Sequence, residues 1–277
     1  MPNLEMSRAE SMQKAKAAAL QALQLDDSLA EAHTSLAFVE MHYEWDWPGS
    51  EKEFKRALEL NPNYATAHQW YAVWLMAQGK TAAALEEERR AQEADPLSII
   101  IKTDTAQLLV CAGDFDRAAR QAQGALEIDS DFPLAHIFLG EAYIGKQSYP
   151  AAIAELQKAL AISKDDAGAL AELARAYAHD GQRPKSEAIL AILENKLQSA
   201  KDRGEIAIQV AAVYAALGKN KQAFSLLEEA YQYRVGSLIL LNAVPAYQSL
   251  RLDPRFDDLA QRVGLPRTTE HQQPSTH

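Results

Sequence analysis

The sequence predicts an all-α fold, a right-handed superhelical solenoid built from pairs of antiparallel helices. Three observations predict it. Small residues recur at one period in three series. The first runs Ala37, Ala72, Ala106, Gly140, Ala174 and Ala211, in steps of 35, 34, 34, 34 and 37. The second runs Ser50, Ala84, Ala118, Ala152, Ser186 and Ala223, and the third runs Ala22, Ala57, Ala91, Ala125 and Ala159, then Leu193 and Ala230. Glycines keep the same phase at Gly79, Gly113, Gly181 and Gly218. Prolines follow in two repeats, at Pro62 and Pro96.

Each element has a physical reason. Small residues such as Ala72 and Ala84 let two helices approach closely, so their ridges and grooves mesh. Gly79 ends a first helix because glycine accepts a left-handed backbone without strain. Thr81 and Ser148 are read as caps of second helices. Pro62 and Pro96 stop those helices, lacking an N–H and clashing with a continued turn. One pair cannot bury its own apolar face, so pairs stack. The order read from this is a half repeat over 1–28, whose helix spans 8–25, then six repeats over 29–236. A helical cap follows at 237–266 and a disordered tail at 267–277. Small insertions fall near 43–48 and 195–203. Ala15, Ala18, Ala19 and Ala22 match a face that packs on a partner helix missing here. A weak homodimer through this N-terminal edge is therefore expected, or a longer parent protein that covers it.

A period of 34 residues with this pattern resembles the tetratricopeptide repeat. His136-x2-Leu139-Gly140-x2-Tyr143 with Ala152-x3-Leu156 and Ala159 carries it best; His68-x2-Tyr71-Ala72-x2-Leu75 and His33-x2-Leu36-Ala37 repeat it. Glu88 and Ala122 depart from it, standing where Phe54 and Leu156 stand. The run Tyr43-Glu44-Trp45-Asp46-Trp47-Pro48, the stretch Asn61-Pro62-Asn63-Tyr64-Ala65-Thr66-Ala67-His68, and the closing Asp253-Pro254-Arg255-Phe256 resemble something narrower. They are similar to the C-terminal repeat regions of multidomain bacterial signalling proteins. In that family the repeats follow a winged-helix, TolB-like, cyclase or Ser/Thr kinase segment. The resemblance implies a sensory or regulatory interaction role in the cytoplasm, or on the periplasmic side where a parent protein carries a transmembrane helix.

Composition narrows the function classes. The formal charge is −10, and an acidic surface repels phosphate backbones, so no nucleic acid is expected to bind this chain. The single cysteine, Cys111, allows no intrachain disulfide. The first residues lack a basic segment followed by an apolar run, and the most apolar stretches are too short to span a bilayer, so neither a signal peptide nor membrane insertion is expected. No GxGxxG, phosphate loop, HExxH or GxSxG occurs. Cys111 reads as a small packed residue. His33, His68 and His136 recur at repeat spacing, which is not ligand spacing. His42, Glu44 and Asp46 read as a helix end, Trp45 and Trp47 as wedges in the insertion, and Glu86 to Arg90 as a solvated face with local ion pairs. No enzyme activity, cofactor or metal is expected.

The concave groove, lined by first helices, is the expected binding surface. By repeat position its lining is Thr34, Phe38 and Met41; Gln69, Val73 and Met76; Thr103, Gln107 and Val110; Ile137, Glu141 and Arg175. The lysine, asparagine and arginine clamp by which co-chaperone repeat proteins hold a terminal carboxylate is absent. The reading is a scaffold that takes a peptide or helix of a partner protein, with apolar anchors and polar groups setting register. The alternative is an oligomerisation module of a larger regulator or kinase.

Overall fold

The computed structural model describes residues 7–201 and 203–267. The tail expected at 267–277 therefore lies, beyond its first residue, outside the described part. A lone helix α1 (Arg8–Leu25) precedes six pairs. They are α2 (Ala30–Val39) with α3 (Trp47–Leu60), α4 (Ala65–Ala77) with α5 (Thr81–Ala94), and α6 (Ile99–Cys111) with α7 (Phe115–Leu126). Then come α8 (Pro133–Gly145) with α9 (Tyr149–Ile162), α10 (Ala167–His179) with α11 (Arg183–Ser199), and α12 (Gly204–Ala216) with α13 (Asn220–Gln232). Two 3₁₀ turns, Gly236–Leu240 and Pro245–Leu250, lead to α14 (Pro254–Val263). No strand occurs among the described residues.

The periodic residues sit where close packing needs them. Ala37, Ala72, Ala84, Ala106, Ala118, Ala152 and Ala174 are fully buried. A Cβ on Gly140 would run into the Leu156 side chain across the α8–α9 pair. Gly79, Gly113, Gly181 and Gly218 hold positive φ at the ends of first helices. Gln147 takes the same left-handed conformation in the fourth pair, where the glycine series skips a member, and Trp45 does so in the first. Two expected caps are not made. Lys80, not Thr81, precedes α5, and Ser148 precedes α9 without a side-chain hydrogen bond. Longer acidic side chains at Asp46 and Asp114 reach the third amide of α3 and α7 instead. The insertion near 43–48 is a π-helical turn over Glu40–Glu44, and that near 195–203 lengthens α11.

Consecutive first helices touch one another from α2 through α12 and form the inner layer, with the second helices outside. The C-terminal segment does more than cover the last pair. Its first 3₁₀ turn touches α12, α4 and the π-turn; its second packs on α12, and α14 packs on α13. One apolar core thus joins Met41, Trp47, Phe54, Trp74 and Met76 to Leu238, Ile239, Leu241, Leu250, Phe256 and Val263. Trp47 Nε1 donates to the Val263 carbonyl at 2.8 Å, and Arg234 Nη1 donates to the Tyr43 carbonyl at 3.0 Å. Arg8 of α1 pairs with Glu205 of α12 at 2.7 Å. The first and last repeats are therefore held together across about 200 residues of sequence.

Helix α1 is tied down further by Lys16, 2.5 Å from Glu44. Of the four alanines expected to form its packing face, Ala19 is buried, Ala22 is half-buried, and Ala15 and Ala18 are exposed. The open edge is thus narrower than the alanine pattern suggested, because Ala19 lies on the buried side of α1, the side toward α2.

Candidate functional site

The repeated histidines are structural clamps. His33 Nδ1 lies 2.5 Å from Glu53, His68 Nδ1 2.6 Å from Glu87, and His136 Nδ1 2.8 Å from Glu155. The opposite ring nitrogen reaches the carbonyl six residues earlier, of Asp27, Pro62 and Ser130 in turn. Each imidazole therefore joins the two helices of its own repeat to the loop that enters it. A carboxylate and a carbonyl only accept, so at His68 a ring with both nitrogens protonated suits them. At His68 burial works against the charge, but the Glu87 carboxylate and the Pro62 carbonyl hold the ring above its usual range.

The five-residue charged run on α5 is not simply a solvated face. Arg89 and Arg90 pair outward with Glu86 and Glu87. Glu88 turns inward, 1% exposed, at the position Phe54 holds in its own repeat. Thr105 donates to it at 2.8 Å, and burial, despite that bond, pushes its carboxyl up to about 8. Cys111 is half-buried with its thiol pushed up to about 12 by burial, which removes thiolate nucleophilicity. His42, Glu44 and Asp46 do separate jobs. His42 stacks on Phe38, Glu44 pairs with Lys16, and Asp46 caps α3. Trp45 stacks on Tyr231 beneath Arg234. Among the described residues no cluster of three His, Cys, Asp or Glu is arranged to hold a metal.

The twelve expected groove residues divide into three sets. Thr34, Met41, Thr103, Met76 and Ile137 are buried, which corrects the expectation of an accessible lining there. Thr34 and Thr103 donate to carbonyls of their own helices. Met41 and Met76 belong to the core shared with the C-terminal segment, and Ile137 packs between repeats. A second set stays on the inner face. Phe38 and Val73 are half-buried, and Phe38 lies 4.4 Å from the ring centre of Trp70. Gln69 is buried and donates to Asp104 at 2.5 Å.

The third set, Gln107, Val110, Glu141 and Arg175, converges on one cavity of about 160 Å³. Its other walls were not among the expected groove residues. Glu172, Gln209 and Tyr247 join from α10, α12 and the C-terminal segment, with Leu238 and Leu241 closing the apolar side. Glu172 stands one turn before Arg175 on α10 and pairs with it; both are buried. Tyr247 donates its hydroxyl to the Ile208 carbonyl at 2.9 Å.

Residues 46–99 and 103–167 match a family model described as tetratricopeptide repeat, which supports that repeat family for the central pairs. No curated protein sequence matches significantly. Solved structures share the fold at low identity. The Cut9–Hcn1 hetero-tetramer of the APC/C matches with 16% identity and a TM-score of 0.61, over 91% of this chain and 46% of that one. This chain thus spans about half the length of that protein. A tetratricopeptide repeat protein from Parabacteroides merdae matches at 12% identity and TM-score 0.62, covering 86% and 92%. The human IFIT1 dimer with m7Gppp-AAAA matches at 18% and 0.61, covering 94% and 65%.

Proposed function

We propose that this chain is a protein-interaction scaffold whose inner face takes an amphipathic segment of a partner protein. The observation that carries it is the second set above. After the C-terminal segment has covered Met41 and Met76, Phe38, Trp70 and Val73 remain half-exposed on α2 and α4. Asp104 and Gln107 continue the face onto α6 as a polar edge. An apolar strip beside acidic and amide groups suits a helix with apolar anchors and a basic flank. The repeat family and the structures that share the fold support the scaffold reading in general. The resemblance to bacterial signalling proteins adds a regulatory role, and oligomerisation of a larger regulator is the second form such a role would take. Among the described residues no helix is long and apolar enough to cross a membrane. The m7Gppp-AAAA of the human structure is not carried over, because this chain has a net charge of −10 and two glutamates against one arginine in its cavity.

A displayed library of helical peptides selected on the full chain tests the proposal. Binders should lose at least about tenfold in affinity for Val73→Glu, equivalent to about 1.4 kcal/mol. Helicity should be unchanged, since Val73 is only half-buried. Binders indifferent to Val73→Glu and to Phe38→Ala would place docking on another face.

A further inference from the structure

The cavity between the inner layer and the C-terminal segment is built unlike a packing defect. Four successive first helices each send a polar side chain to it: Gln107 from α6, Glu141 from α8, Glu172 and Arg175 from α10, and Gln209 from α12. Leftover voids in a core are apolar, and buried polar groups are normally paired with one another. Here the pairing is incomplete. Arg175, 6% exposed, donates from Nη1 to Glu172, yet its Nε has no acceptor. Glu141 has no hydrogen-bond or ion-pair partner among the described residues. One guanidinium faces two carboxylates, so an ionised Glu141 leaves the chamber one negative charge in excess. Burial pushes the Glu141 carboxyl up to about 8, the Glu172 charge adds to this, and Arg175 acts against it.

We propose that this chamber binds a small zwitterion with an apolar side chain, of the free α-amino acid class. The unpartnered carboxylate of Glu141 and the Gln107 and Gln209 amide oxygens offer acceptors for an ammonium group. The incompletely used guanidinium of Arg175 offers donors for a carboxylate, the geometry for which arginine is best suited. Leu238, Leu241, Ile208 and Val110 supply a wall for an aliphatic side chain. A monocation would balance the charge but leave Arg175 Nε without an acceptor, and a simple anion would add to the excess charge and leave Glu141 unpartnered. The volume of about 160 Å³ is close to that of engineered cavities, about 150 Å³, that accept a benzene-sized guest. This fits an amino acid and excludes a nucleotide.

The chamber has a way in. A wider opening of about 490 Å³ shares Phe115, Ile144, Gly145, Arg175, Pro245 and Ala246 with it, and Tyr149, His179 and Gln248 border its outer side. Ligand therefore enters between the ends of α8 and α10 and the second 3₁₀ turn. The C-terminal segment supplies one wall of both spaces, so an occupied chamber is fastened to the same segment that joins the first and last repeats.

Isothermal titration of the full chain tests the proposal, with leucine and norvaline as probes and 3-methylbutylamine and 4-methylvalerate as their half-ligands. An amino acid should bind at least about tenfold more tightly than either half, since each charged contact in a buried site contributes about 10- to 100-fold. Glu141→Gln should weaken leucine by at least that factor and leave 4-methylvalerate unchanged. This variant replaces an unpartnered, half-buried carboxyl by an amide of the same shape, so it should melt no lower than the parent, and lost binding cannot then be lost folding. Ala246→Phe, which narrows the neck without altering charge, should slow or abolish entry. No heat with either amino acid would show a chamber filled by water alone and overturn the proposal. So would equal affinity for 4-methylvalerate, or undiminished leucine binding by Glu141→Gln.

Discussion

Replacing Trp47 by phenylalanine probes the join between the two ends of the solenoid. The indole N–H is the donor to the Val263 carbonyl at 2.8 Å, across 216 residues. Its ring lies against Gly264, whose φ of 83° no ordinary side chain adopts comfortably and whose Cβ would run into the indole. Phenylalanine keeps the apolar body but leaves the Val263 carbonyl without a donor, in a region where Val263 itself is fully buried. An unsatisfied buried polar group costs about 1–3 kcal/mol. The smaller ring adds lost contact with Trp74, its neighbour at 6.3 Å, of roughly 1 kcal/mol. The sum is about 2–4 kcal/mol. Urea unfolding followed by far-UV circular dichroism should show this loss, and thermal melts should show a fall in Tm of roughly 5–10 °C for a chain of this size. Gly264→Ala should be costly in the parent and less so in Trp47→Phe, because the clash it makes is with the indole. Their coupling in a double-mutant cycle should exceed about 1 kcal/mol. A Trp47→Phe loss below about 0.5 kcal/mol, or strict additivity with Gly264→Ala, would refute the join.

Further outcomes follow from single groups. Glu88 has a folded-state pKa raised to about 8 from 4.5, so the folded form holds a proton that the unfolded form releases first. Its contribution is therefore fully present below about pH 4.5 and is lost as pH rises through about 8, by up to about 5 kcal/mol. Glu88→Gln should remove that decline, and the gap in urea midpoint between variant and parent should widen from pH 5 to pH 8.5; a constant gap would contradict it. His68 is shifted upward by Glu87 and the Pro62 carbonyl, so its clamp is present below about pH 6.5 and lost as pH rises through the higher folded value. His68→Phe should therefore cost roughly 1–3 kcal/mol at pH 6 and less at pH 9, read from thermal melts at both values. At the N-terminal edge we expect weak self-association through exposed Ala15 and Ala18, abolished by Ala15→Glu with Ala18→Glu; a strict monomer over a wide range in sedimentation would end that idea.

The architecture was legible because its cause is periodic. Close helix crossings admit only small side chains, and Ala84, Ala118 and Ala152 repeat that demand every 34 residues. The site was less legible because its cause is not periodic. Gln107, Glu141 and Arg175 follow from repeat position, but that they line one chamber depends on where residues 236–250 come to lie, and that segment has left the repeat. Met41 and Met76 read as groove anchors for the same reason; the sequence marks them as inner-face and apolar without saying what covers them. Glu88 did carry a signal. A carboxylate at a position that is apolar in other repeats implies burial with a partner, and Thr105 is that partner. Thr81 and Ser148 misled because a hydroxyl near a helix start is not sufficient for a cap; Lys80 stands at the cap position of α5, and the Ser148 side chain makes no cap hydrogen bond.

Residues 236–265 pack against both the first repeats and the last pair and join the two. Native-state hydrogen exchange on the full chain tests this join most directly. The amides of Leu238, Leu241 and Leu250 should be protected as well as those of α6 and α8 at the centre of the array, and Trp47→Phe should lower protection in α14 and α3 together. A segment that exchanges at the rate of an unstructured linker while the repeats stay protected would contradict the account.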